Sequence, residues 1–155
     1  MNEKSKKYFP LFIDLSDKKI VIIGAGQIAA RRAASLAAFC GDIVVIAPRI
    51  CERIKEMSIN GSLKLIEKPY EPGDIEDAFI VLAATDSKSL NDRICTDGRA
   101  KGIYVNHASD QNECDFFFPA VVCKDNIVAG ISSGGSDHEA VRRARETIEK
   151  ALENF

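Results

Sequence analysis

Gly24, Gly26 and Ala29 form a GxGxxA pattern between an apolar run at 19–23 and an Ala-rich stretch with helical periodicity. Residue types in that order suit the pyrophosphate of a dinucleotide. Gly24 permits the tight turn from strand to helix, Gly26 lets the backbone approach the phosphates, and Ala29 lets the helix pack closely on the strand. Free N–H groups and the dipole at the helix N-terminus would hold the negative charge. A glycine-rich strand-to-helix turn with no ligand has the same composition; the strand before and the helix after are what favour the nucleotide.

The acidic residue that usually hydrogen-bonds the adenosine ribose should close the second strand about 20 residues further on. It is absent: residues 42–49 end in Ala47, Pro48 and Arg49. With no carboxylate to repel a 2′-phosphate and Arg49 nearby, physical grounds leave NADP open beside NAD. Arg49 reads equally as a solvated loop residue. His107 could take a proton or approach a metal, because an unperturbed imidazole titrates near neutral pH; a lone His in a polar loop is more often only hydrogen-bonded. Cys114 and Asp115 could join it around a divalent ion, but the spacing matches no standard structural zinc site, and no metal is expected.

These residues need elements to position them. Hydrophobic periodicity predicts strands at 19–24, 43–47, 63–67, 79–84 and 103–106, with helices at 27–39, 49–59 and 87–101. The strands are continuous apolar runs, as expected when helices cover both faces, so the fold class is α/β: a Rossmann-type, doubly wound parallel sheet. Residues 69–77 read as an irregular connection, with the turn signal at 71–74. Thr85 and Asp86 close the fourth strand at the carboxyl edge, where ligands bind in open α/β folds; Asp86 reads equally as a helix N-cap or turn. Val105 and Asn106 close the next strand.

Beyond residue 113 the character changes. Residues 116–123 and 127–132 read as a β-hairpin, and 137–153 as a last helix capped by Ser136 or Asp137. The expected division is a nucleotide-binding domain at 1–113 and a segment at 114–155. A lone hairpin and helix are too small to fold alone. The apolar residues, Phe116 to Phe118 among them, need a partner surface, and a second copy of the chain is favoured over the nucleotide domain because large apolar patches mark interfaces.

The 155 residues suit one domain with a small appendage, and 46% hydrophobic with 28% charged residues fits a soluble globular protein. A net charge of −2 gives no general attraction to nucleic acid or to an anionic membrane. No apolar stretch is long enough to span a bilayer, and the Lys-rich start is not followed by a signal-type segment. Five cysteines, scattered and without a CxxC pair, read as reduced thiols, so a cytoplasmic protein is expected.

Taken together the residues resemble the siroheme-synthesis family of precorrin-2 dehydrogenases, some of which are also sirohydrochlorin ferrochelatases. The resemblance is carried by residues 9–15, FPLFIDL, by 24–32, GAGQIAARR, and by Ala47-Pro48. It continues through 83–86, AATD, Leu90-Asn91, Val105-Asn106, 114–120, CDFFFPA, and 131–135, ISSGG. It implies a two-electron oxidation of precorrin-2 to sirohydrochlorin with hydride passing to NAD, and a homodimer. It also outweighs the argument from Arg49, since that family commonly ends its second strand in Ala-Pro and still uses NAD.

By position the resemblance places Gly24, Gly26, Gln27 and Ile28 along the pyrophosphate, and Ala47, Pro48 and Arg49 at the adenosine end, with Thr85, Asp86, Val105 and Asn106 completing the cofactor edge. A base must take the departing proton. The family carries an Asp three residues after the position of Asn106; here that position is Ser109, followed by Asp110. Either Asp110 serves after a one-residue shift, or positioning against NAD does most of the work; Asp110 reads equally as a turn residue. Ser109, Asp110 and His107 are therefore the catalytic candidates. Ser133 falls where the family has an active-site serine, though a loop hydroxyl bonding its own backbone looks the same. His138 stands where the family more often shows Ser-Pro.

Precorrin-2 carries eight carboxylates, which the guanidinium fork suits. Arg31, Arg32 and Arg142 are the substrate candidates, with Arg143 and Arg145 beside the last; a solvated helical face with acidic partners explains each singly. The chain stops at Phe155, whereas many family members continue into a helical domain that helps enclose the tetrapyrrole. The pocket is then expected to be open, completed by the second subunit, or completed by a separate chelatase or helical partner protein. Two rival readings remain, a metal chelatase or carrier for sirohydrochlorin and a non-catalytic NAD(H)-sensing module. Such sensors generally keep the acid on the second strand.

Overall fold

A computed structural model describes residues 8–153; the Lys-rich start lies outside the described residues. The order is β1 (Lys19–Ile23), α1 (Gln27–Leu36), β2 (Asp42–Ile46), α2 (Glu52–Ile59), β3 (Lys64–Ile66), β4 (Ile80–Ala83), α3 (Lys88–Ala100), β5 (Tyr104–His107), β6 (Ala120–Lys124), β7 (Ile127–Ile131) and α4 (His138–Glu153). Short 3-10 turns at Pro72–Ile75 and Gln111–Glu113 stand where irregular chain was expected.

The first five strands make one parallel sheet in the order β3-β2-β1-β4-β5. Side chains alternate along each strand. Val21, Ile23, Val44, Ile46, Val81, Ala83 and Val105 share one buried cluster with Ile94 and Cys95 of α3. Their neighbours Ile20, Ile22, Ile43, Val45 and Leu82 are buried too. Both faces are therefore covered, which explains why the strands are apolar throughout. Among the described residues no helix is long and apolar enough to cross a membrane.

The register brings the carboxyl ends of the strands level. Ile23 pairs with both Ile46 and Ala83, and Ala83 pairs with His107. One residue further on the ladder continues: Gly24 N donates to Ile46 O at 2.9 Å, Ala84 N to Ile23 O at 2.8 Å and Ala108 N to Ala83 O at 2.9 Å. The order reverses between β1 and β4, so the crevice outside their carboxyl ends is the topological switch point. On the opposite side of β5, α3 lies so close that a Cβ on Gly98 would come within 2.6 Å of Val105 Cγ1. Gly98→Ala is expected to lower stability by about 1–3 kcal/mol through overpacking, read by chemical denaturation.

Packing divides the chain between Phe116 and Phe117: one unit is Asp14–Phe116, and the other joins the segment up to Ile13 to the chain from Phe117 onward. In the second unit β6 and β7 pair antiparallel, with Val122 opposite Ala129. Val141, Ala144, Ile148 and Leu152 make the half-buried stripe of α4, and Asp137 caps the helix, its Oδ1 accepting from Ala140 N at 2.8 Å. Phe116 to Phe118 are half-buried, not exposed as expected; Tyr8 packs edge-on against Phe117, with ring centres 4.4 Å apart. In this unit the exposed large apolar side chains are instead Tyr8, Phe9, Leu11, Phe12 and Ile13, with Ile127 and Val128 of β7.

Candidate functional site

The glycine turn leaves β1 pinned on both sides. Gly24 has φ +109°, in the region L side chains rarely adopt, and a Cβ there would overlap the carbonyl of Ala84, 2.6 Å from its carbon and 2.9 Å from Thr85 N. The β1 and β4 loops thus touch backbone to backbone across the switch point. Ala25 O accepts from Cys51 N at 2.9 Å, which ties the turn to the start of α2. Ala29 is fully buried, as close helix-on-strand packing requires.

Gly26 is different in kind. It is the N-cap of α1, in extended conformation with no side-chain cap, and a Cβ on it would meet no atom within 4 Å. Gln27 and Ile28 beside it are exposed. The first-turn N–H groups of α1 thus face a solvent-open lip with no side chain to occupy them. This fits a pyrophosphate: the positive end of the helix dipole and free donors with room for the phosphates to approach.

Just beyond β2, Ala47 is buried and its N–H donates to Ile66 O at 3.2 Å, while Pro48 and Arg49 are exposed. Arg49 reaches across the switch point to Asp86, Nη2 to Oδ2 3.6 Å, with both side chains nearly fully exposed. A pair so solvated contributes little to stability and leaves both ends available to a ligand. Asp86 is not the helix cap that sequence left open: Ser87 caps α3, accepting from Leu90 N.

Thr85 is held by a residue that the sequence marked only as part of the family resemblance, with no role assigned. Asn91 is fully buried. Its Oδ1 accepts from Thr85 N at 3.0 Å and from Thr85 Oγ1 at 2.7 Å, and its Nδ2 donates to Thr85 O at 3.2 Å. A signal existed: Asn91, Ile94, Cys95 and Gly98 lie at the spacing of one helical face, so a polar group sits where an apolar one is expected.

The end of β5 is more constrained than a turn. Val105 is buried in the core, and its N–H donates to Asp115 Oδ2 at 2.8 Å. Asn106 is buried; it accepts a short hydrogen bond from Arg32 Nη1, and its Nδ2 donates to Phe116 O at 2.8 Å. Its amide fastens α1 and the chain after β5 to the sheet. Burial pushes the Arg32 guanidinium down from its usual range. Arg31, one residue earlier, is exposed.

His107 is a buried strand residue rather than a polar-loop residue. Its Nε2 lies 3.0 Å from Asp92 Oδ1, and its Nδ1 accepts from Ser109 N at 3.2 Å, with Ser109 Oγ 3.4 Å away. Asp110 caps the following turn: Oδ1 accepts from Asn112 N at 3.1 Å, and Oδ2 faces Lys88 Nζ at 3.4 Å. The Asn112 hydrogen bond first, then Lys88, holds its carboxyl below the usual range. Cys114 Sγ accepts from His107 N at 3.2 Å, and burial pushes this thiol up. Among the described residues no three His, Cys, Asp or Glu groups are placed to hold a metal ion.

Gly24, Gly26, Gln27, Ile28, Ala47, Pro48, Arg49, Thr85, Asp86, His107, Ser109 and Asp110 thus belong to or follow the level carboxyl edge of one sheet. Ser133 and Arg142 lie in the other unit. Ser133 Oγ accepts from Asp137 N at 3.0 Å, the local bond open to such a hydroxyl, and Arg142 is exposed on α4.

The model of a family described as "Putative NAD(P)-binding" matches residues 11–120. Over 143 residues the chain is 40% identical to the probable multifunctional siroheme biosynthesis protein HemA of Ruminiclostridium josui, covering 92% of this chain and 28% of that protein. It is 34% identical over 149 residues to a siroheme synthase of Sodalis glossinidius, covering 96% of this chain and 32% of that protein. The chain therefore spans about a third or less of the length of these relatives. The solved structure of SirC, precorrin-2 dehydrogenase, shares the fold with a TM-score of 0.75 at 23% identity, over 93% of this chain and 71% of that one.

Proposed function

The chain belongs to the NAD(P)-binding family whose model spans residues 11–120, and from that premise we propose that it oxidises precorrin-2 to sirohydrochlorin with NAD as hydride acceptor. One observation carries the reading: an uncapped helix N-terminus with an open glycine lip stands at the switch point of a chain whose relatives include siroheme synthases. Gly26, Gln27 and Ile28 would hold the pyrophosphate, with Ala47, Pro48 and Arg49 at the ribose. The dinucleotide supplies a two-electron acceptor; the chain binds, orients and takes the proton.

Ser109, His107 and Asp110 are the candidates for that proton. Arg31 is free to approach substrate carboxylates, while Arg32 is committed to Asn106 and would act by holding the β5 end in place. Ser133 and Arg142 remain substrate candidates. The test is anaerobic turnover of precorrin-2 with NAD, with NADP and with neither, and dependence on NAD is the expected result.

The second unit supports assembly with a second copy of the chain. Tyr8, Phe9, Leu11, Phe12 and Ile13 form an exposed apolar run, and Ile127 and Val128 of β7 are exposed as well. Contiguous apolar surface of this kind marks an interface. Light scattering coupled to size exclusion is expected to give a dimer mass, and Phe12→Asp to move the chain toward monomer without changing NAD affinity.

A further inference from the structure

We propose that Asp92 is a positioning residue for the proton-accepting step, acting through His107 on Ser109; this rests on the dehydrogenase reading above. The warrant is a line of three side chains ending at the carboxyl edge of β5. Because Ser109 N–H donates to His107 Nδ1, that nitrogen is the acceptor and the ring proton sits on Nε2, aimed at Asp92 Oδ1 3.0 Å away. Ser109 Oγ shares the same Nδ1 at 3.4 Å and is itself exposed. The imidazole is fully enclosed, whereas Asp92 is 47% exposed.

The alternative acceptor, Asp110, is poorly suited. One of its oxygens is taken by a backbone N–H and the other faces Lys88, and these contacts keep it ionised and weakly basic. Lys88 Nζ also lies 3.1 Å from Asp92 Oδ1, and with the His107 contact it holds that carboxyl below the usual range. Asp92 therefore stays anionic through the neutral range, as an orienting carboxylate must.

In the step, precorrin-2 is oxidised by two electrons: one hydrogen leaves as hydride to the dinucleotide, which is reduced, and a second leaves as a proton. Ser109 Oγ takes that proton as its own passes to His107 Nδ1. The resulting imidazolium is stabilised by Asp92 and returns its Nδ1 proton to solvent through the exposed Ser109 hydroxyl, which restores the Nε2–H ring. An imidazole in one tautomer, hydrogen-bonded to a carboxylate and facing a hydroxyl, is an arrangement that recurs on unrelated folds.

Asp92→Asn and Ser109→Ala keep shape and add no buried charge. Each is expected to lower kcat tenfold or more, within the range of general acid–base effects, while leaving KM for both substrates and the unfolding temperature unchanged. Independently of turnover, 15N NMR of the ring, told apart from His138 by a His138→Gln variant, is expected to show His107 as the Nε2–H tautomer, with the Nε2–H proton resonance moved upfield in Asp92→Asn as a charged acceptor is replaced by a neutral one. Wild-type turnover with unchanged kcat in both variants, or a His107 Nε2–H resonance that Asp92→Asn does not move, overturns this inference alone. Absence of wild-type turnover, with the tautomer intact, overturns the dehydrogenase reading and the proton-transfer role with it.

Discussion

Gly26→Ala is expected to bind NAD about a hundredfold more weakly than the wild type, a loss of about 2.7 kcal/mol, while unfolding within about 1 kcal/mol of it. The residue has φ −88°, open to alanine, and a Cβ there meets no protein atom within 4 Å. Alanine is a poorer N-cap than glycine, but it also reduces the freedom of the unfolded chain, so the two effects on stability oppose each other. The added methyl would occupy only the space through which a pyrophosphate approaches the first turn of α1. Calorimetric titration with NAD beside a urea melt separates the two quantities. Unchanged affinity would place the phosphates elsewhere.

Gly24→Ala is expected to do the reverse, lowering stability by about 4 kcal/mol or more before any ligand is added. Two penalties combine. The backbone conformation at φ +109° is strained for any side chain, and the Cβ overlaps the Ala84 carbonyl, which is held by the hydrogen bond from Ala84 N to Ile23 O and cannot retreat without opening the sheet. For a chain of this size that loss lowers Tm by roughly 10 °C or more. A melt within 2 °C of wild type would mean that the two loops part easily. The paired outcomes would separate the two glycines of one short motif into a folding role and a binding role.

Much of this was legible in the sequence. The apolar runs that became β1, β2 and β4 are buried on both faces, and that double burial is what makes such strands readable as parallel. Gly24 was legible because its turn needs the absence of a side chain. The end of β5 was not. His107 sits among polar residues in sequence, yet the parallel pairing of Ala83 with His107 carries it into the sheet. Its partner Asp92 lies fifteen positions earlier on α3, where it looks like any solvated helical charge. Phe116 to Phe118 read as an exposed patch because local composition does not show that the segment before Asp14 supplies Tyr8 to pack on Phe117. Long-range partners of this kind leave no local periodicity behind.

The central claim is that this chain couples oxidation of precorrin-2 to reduction of NAD. Its most direct test is anaerobic absorbance with enzymatically generated precorrin-2 and NAD, following sirohydrochlorin and NADH together against a control without protein. The account predicts that the two products appear mole for mole, at a rate proportional to protein and strongly reduced in Gly26→Ala. No sirohydrochlorin above the control, from protein shown to bind NAD, would contradict it.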